Sequence, residues 1–367
     1  MGVGRFAFTP LLPMMNDDEL LTISDGGALA SVHFAGYWMG ALVAARLPMS
    51  PSTTLRVSLL AIAATTLGMG LLTDLAALAV LRWIAGVCSA WVLVVVGSFI
   101  IQILTDLGRS DLQGFMFSGV GGGIGLVGLT CLLFMVAGID SSASWQITGM
   151  VSLLIAVLLC LTLTPELLAS QGTPTSPSSV RRPLIWTMLI SYGMTGMGYA
   201  IPATYLPILA RDSVTVPIVF GWVWPIFGAA AFSSILLAVR LRRRYTDRWI
   251  WATSQIVLAT GVLLPALYPH MAAMALSGLL VGGTFMIITM VGIQEAHRIA
   301  PRSDAMRHVA GMTTAFATGQ MIGPVLASSV YALNGNFNPI LIGTATALTL
   351  TTAALIYTPS LRELRQR

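Results

Sequence analysis

Apolar runs of about 20 residues recur along this 367-residue chain. They fall at about 1–15, 26–45, 55–73, 75–104, 113–138, 144–164, 184–209, 216–239, 249–268, 271–293, 309–332 and 338–358. A run of that length, coiled as a helix, matches the hydrocarbon core of a bilayer. The runs lack the alternation of a barrel strand. In hydrocarbon a backbone polar group has no water to bond, so each run must satisfy its own backbone as a helix. Only 9% of residues are charged, against roughly 25% in soluble domains. The chain cannot cover itself for water. The expectation is an all-α integral membrane protein of twelve spans.

Charge placement tests that layout. All 19 cations are arginine, and all but Arg5, Arg82 and Arg211 fall on even-numbered loops or the C-terminal tail. The odd loops carry Asp17, Asp18, Glu19, Asp25, Asp74, Asp140 and Asp212. Cationic loops are retained in the cytoplasm during insertion, so even loops and the C-terminus are expected there. Residues 165–182 are rich in Pro, Ser and Thr and read as a cytoplasmic linker. It separates an N-terminal six-helix half, 1–164, from a C-terminal half, 183–367, with a short basic tail. The basic loops read as topology signals, so no nucleic-acid partner is expected.

The halves echo each other. Gly2, Gly4, Leu12 and Pro13 recur as Gly196, Gly198, Leu206 and Pro207 at a constant offset of 194. Glycine and proline constrain the backbone, so their agreement weighs more than that of leucines. Pro13 and Pro207 would loosen equivalent helices. The first run, Met1 to Met15, covers about 22 Å as a helix, short of the ~30 Å of hydrocarbon. A natural start upstream of Met1 is therefore expected. Gly36 and Gly40 form a GxxxG pair that permits close helix contact. Gly122, on the fifth span, and Gly319, Gly323 and Pro324, on the eleventh, read the same way. Gly121-Gly122-Gly123 lacks the lysine of a phosphate loop.

Charge inside a bilayer is costly, about 2.5–3.5 kcal/mol per arginine on the insertion scale, and it usually faces a cavity. Arg5 lies about 18 Å by helical rise from Asp17, and Arg82 about 12 Å from Asp74, which puts both near mid-membrane. Their repeat counterparts are Tyr199 and, less directly, Ser277. A guanidinium pair facing a cavity would bind an anionic group such as a carboxylate, with Tyr199 and Tyr205 among the pocket's aromatic wall. The structural alternative is that each arginine bonds helix carbonyls or snorkels. Every carboxylate maps to a loop or span end, so coupling candidates are His33 on the second span and the span-end acids Asp25 and Glu295. Cys88, Cys131 and Cys160 lie in apolar runs as small hydrophobes. No HExxH, GxSxG or Cys/His cluster occurs, so no catalytic residue, metal or cofactor is expected.

Two six-span halves with cavity-facing arginines resemble the major facilitator superfamily. In that superfamily spans one, four, seven and ten line the cavity, and Arg5 and Arg82 fall on the first two. Leu78-x-x-x-Arg82-x-x-x-Gly86-x-x-x-Ala90 is similar to the span-four signature of its proton-coupled exporters, with Ala85 where that signature usually has Gln. The loop after span two lacks the family's acidic residue. The opening GVGRFAFTPLLPMM, with ASVHFAGYWMGALVAARL and LRWIAGVCSAWVLV, resembles the YbfB/YjiJ-like branch of bacterial transporters. The resemblance implies a bacterial inner-membrane secondary transporter, working as a monomer, that moves a small anionic or carboxylate-bearing organic solute by alternating access. Proton-coupled export is one expected mode. The alternative is a non-transporting receptor or scaffold that keeps the fold.

Overall fold

The computed structural model describes residues 2–44, 46–47, 49–162, 185–213, 221–299 and 304–357. Every regular element among them is helical. The chain runs α1 (Gly2–Phe6), α2 (Phe8–Asp17), α3 (Ile23–Ala44), α4 (Pro51–Gly68) and α5 (Leu75–Val95). A π-helical turn, Val96–Ile100, joins α5 to α6 (Ile101–Asp106). There follow α7 (Gln113–Val136), α8 (Ser141–Thr162), α9 (Trp186–Ser213) and α10 (Val223–Leu241). The last four are α11 (Asp247–Leu267), α12 (Met271–Ile299), α13 (Ala305–Asn334) and α14 (Asn338–Tyr357). The expected linker lies outside the described residues.

Eight of these helical segments are long and apolar enough to cross a bilayer: α3, α5–α6, α7, α8, α10, α11, α12 and α14. The segments left over are α1–α2, α4, α9 and α13, spans one, three, seven and eleven of the expected twelve. Two of them, α9 and α13, carry polar side chains that face inward: Ser191, Thr195, Thr313 and Gln320 are buried.

Helix ends follow local chemistry more closely than hydropathy. Ser50 caps α4 by accepting the Thr53 amide at 3.2 Å, with Pro51 in the first turn. The helix therefore starts before the apolar run at 55, and its last residue is Gly68, short of the expected end at 73. Asp74 caps α5 through the Ala77 amide at 2.8 Å. Span one, expected as a continuous run, keeps its helical course through Ala7, whose amide bonds the Val3 carbonyl at 2.9 Å and whose carbonyl takes the Leu11 amide at 3.2 Å. Pro10 has no N–H for the Phe6 carbonyl, so one bond is missing where α1 passes into α2. Conversely, α12 continues to Ile299, six residues past the expected end at 293, and carries Glu295 within the helix.

With lipid outside, apolar burial gives little drive, and helices associate through close packing. α3 lies against α5, and α9 against α13. The N-terminal and C-terminal sets meet along two seams, α7 with α10 and α3 with α13. At Gly86 a β-carbon would stand 2.1 Å from the His33 carbonyl oxygen, so α3 and α5 touch backbone to backbone. Gly228 has the same role on the α7–α10 seam, where a β-carbon would stand 2.1 Å from the Gly125 nitrogen. Gly122, expected at such a contact, is not one: its added carbon would meet only the Phe232 ring, at 3.4 Å. The close position is its neighbour Gly121, 2.4 Å from the Phe232 nitrogen.

Candidate functional site

Arg5 and Arg82 are both buried, at 7% and 4% exposure. Arg5 lies on α1 and Phe8 at the start of α2. Arg5 Cζ stands 4.1 Å from the centroid of the Tyr37 ring, and Arg82 Cζ stands 4.3 Å from that of Phe8. Arg5 Nη2 donates to Gln320 Oε1 at 3.0 Å, joining α1 to α13 across the two sets of helices. The two guanidinium groups act on each other electrostatically, and Arg5 also acts on His33, Tyr37 and Tyr199.

No carboxylate among the described residues pairs with either arginine. Burying an ion costs several kcal/mol after relaxation. A desolvated cation–π contact returns about 2 kcal/mol or somewhat more. Two aromatic faces at Arg5 (Tyr37 and Phe6), one at Arg82 and one neutral amide leave the centre positively charged and short of acceptors. Three donors or ring nitrogens around it have no partner: Arg82 Nε, Gln320 Nε2 and His33 Nε2. Such a centre suits an anion with several oxygens.

The structure gathers some of the residues expected here and separates others. His33 is in the centre, with Nδ1 3.1 Å from the Arg82 carbonyl oxygen. Tyr199 is there too, stacked on Phe285 at 4.5 Å and flanked by Phe227 and Phe316. Ser277 stands apart: its hydroxyl donates to the Gly261 carbonyl at 2.6 Å, holding α12 against α11. Tyr205 donates to the Pro324 carbonyl at 2.9 Å and stacks near Phe337, joining α9 to α13. Asp25 closes a turn by accepting the Thr22 amide and hydroxyl at 3.0 and 2.6 Å.

Glu295 is a span-end acid by position, yet only 1% exposed. Its Oε1 takes Arg298 at 2.6 Å and lies 3.7 Å from Arg248, while Oε2 has no hydrogen-bond partner. Beside it, Gln294 donates to Gln113 Oε1 at 2.9 Å, and the His297 ring meets the Gly97 carbonyl on the π turn. These contacts close the arginine-rich end of the molecule between α12, α7 and the α5–α6 junction. Sequence reading missed Gln320, Tyr37 and this polar seam. The signal was present as uncharged amides inside apolar runs, which a search restricted to charged residues and histidine passes over.

The fold is that of major facilitator transporters. It matches the crystal structure of the human organic anion transporter MFSD10 (TETRAN) with a TM-score of 0.70 over 96% of each chain, at 13% identity. At that identity the likeness is one of fold. The family model described as "Uncharacterised MFS-type transporter YbfB" matches residues 1–357, and the chain belongs to that family. A comparison with curated protein sequences gives no match.

Proposed function

We propose that this transporter moves an organic anion by alternating access, with Arg5 and Arg82 holding the anionic group. The observation that carries the reading is the pair of buried guanidinium groups, without a carboxylate partner among the described residues, where both helix sets meet. Gln320 and Tyr37 orient Arg5, and Phe8 faces Arg82. Tyr199 and its aromatic neighbours wall the C-terminal side. The fold likeness to a protein named an organic anion transporter agrees with this reading.

In this proposal the arginine-rich end faces the cytoplasm of a bacterial inner membrane, by the retention of cationic loops. The two helix sets would rock about the mid-membrane centre. The bonds from Gln294 to Gln113 and from His297 to Gly97 would then part when the cytoplasmic side opens. Proton coupling would run through His33, the titratable side chain with a free ring nitrogen in the centre. Its test is proton movement measured beside solute flux in wild type and His33→Gln.

The deciding experiment is a thermal-shift screen of purified protein with small organic anions and their neutral analogues, followed by proteoliposome flux. A ligand at 100 times its dissociation constant adds about 2.7 kcal/mol to native stability. Stabilisation by anions in wild type and not in Arg82→Gln is the expected result. Equal stabilisation of both by neutral compounds would sink the anion reading. Binding without flux would favour a receptor.

A further inference from the structure

A cavity of about 1100 Å³ opens between the two helix sets on the α3–α13 side. Its floor is a stripe of α13 from Arg307 through Thr314 and Thr318 to Leu326. Its walls are the end of α3 and the first half of α9. Ligand pockets commonly measure about 300–1,000 Å³, so this one takes a large molecule.

Its rim is apolar and faces outward: Ile190 is 55% exposed and Leu326 41%. At the depth of a membrane span such residues meet lipid, so the cavity opens sideways into the bilayer. One end differs. Arg46 and Arg307 stand there with Asp304, which takes Arg307 at 3.3 Å. Arg46 has no carboxylate partner among the described residues, and two cations against one anion leave the mouth positive.

From Arg307 to Thr318 the helix rises about 17 Å, close to half of the ~30 Å hydrocarbon core. That part of the groove spans one leaflet, from a cationic end to an apolar depth, and the stripe continues to Leu326, about 28 Å by helical rise from Arg307. Met194 and Met197 line it, and methionine adapts to a flexible chain better than branched side chains do. The inner wall is thin. Thr318 accepts the Trp38 indole N–H at 2.9 Å, and Gln320, two residues on, accepts Arg5.

We propose that this groove binds a single-chain amphiphile with an anionic head, drawn from the leaflet at the arginine-rich end. The inference rests on the reading of the Arg5–Arg82 centre as an anion site, and it narrows that site's substrate to a carboxylate with a long apolar tail. The tail lies along α13 and the head sits between Arg46 and Arg307 before it reaches the centre.

The test uses the full chain in neutral phosphatidylcholine nanodiscs, with diazirine-bearing palmitic acid and the matching hexadecanol as probes. Labelled peptides are mapped by mass spectrometry. The acid is expected to label the 189–197 and 310–319 segments at least fivefold more than the alcohol does. Unlabelled palmitate should compete and butyrate should not. Ala315→Trp, which fills the groove, should remove this labelling and leave that of the lipid-facing Leu154 and Leu158 unchanged. Arg46→Gln with Arg307→Gln should bring acid labelling down to that of the alcohol. Equal labelling by acid and alcohol would mean ordinary lipid fills the groove and overturns the proposal, as would no competition by palmitate. The Arg82→Gln protein separates the two readings. Selective groove labelling, with palmitate stabilising wild type and Arg82→Gln equally, would leave the groove site standing and the arginine centre refuted; stabilisation lost in Arg82→Gln without selective groove labelling would refute the groove alone.

Discussion

Gly86→Ala should destabilise the protein by about 2–4 kcal/mol. The added β-carbon would stand 2.1 Å from the His33 carbonyl oxygen and 2.8 Å from the Tyr37 nitrogen. Both obstacles are backbone, so no rotamer change relieves the clash and α3 must move away from α5 by roughly 1 Å. Overpacking of this kind costs about 1–3 kcal/mol. The bond between His33 Nδ1 and the Arg82 carbonyl, 3.1 Å long, lies in the same contact. Opening it would add about 0.5–1.5 kcal/mol. The control is Gly122→Ala, whose new carbon meets only the Phe232 ring at 3.4 Å. There a helical alanine should be neutral or stabilise by up to about 1 kcal/mol. Thermal unfolding of both variants in one detergent is the assay. A Gly86→Ala protein within about 0.5 kcal/mol of wild type, or a larger loss at Gly122, would refute the packing argument.

Three further outcomes follow from the same contacts. Arg82→Gln removes a charged donor worth about 1.5–3 kcal/mol, so anion affinity should fall about tenfold to hundredfold; unchanged affinity by calorimetry would place the ligand elsewhere. Glu295→Gln leaves Arg298 and Arg248 facing a neutral amide. Because Arg298 is half exposed, the loss should be about 1–2 kcal/mol, below the ~3–5 kcal/mol of a fully buried pair; an unaltered melting temperature would contradict this. Trp38→Phe deletes a bond between α3 and α13 worth about 0.5–1.5 kcal/mol. Maleimide labelling of Thr314→Cys, in a Cys160→Ser background, should then speed up severalfold, and an unchanged rate would show that the seam does not open there.

The fold was legible because each span answers a local constraint. A helix must reach across hydrocarbon, and its flanking arginines must stay on one side, so length and charge placement both leave marks in the sequence. Bounds were lost where a few residues override hydropathy, as Ser50-Pro51 does at α4. The site was legible only in part, for a related reason. Arg5 and Arg82 stand out because a buried charge costs so much that its presence demands an explanation. Their surroundings do not stand out. Repeat symmetry pointed to Ser277 opposite Arg82, yet that hydroxyl is taken by Gly261. The group that does meet Arg5 is Gln320, 315 residues away and neutral. On the proposed reading that neutrality matters: a carboxylate in its place would cancel the guanidinium and leave nothing for an incoming anion. A site built to hold a charged ligand keeps its own charge uncompensated and orients it with amides and aromatic rings. Those side chains are the ones that an apolar run conceals most easily, so the three-dimensional packing of α1, α3, α5 and α13 was needed to find them.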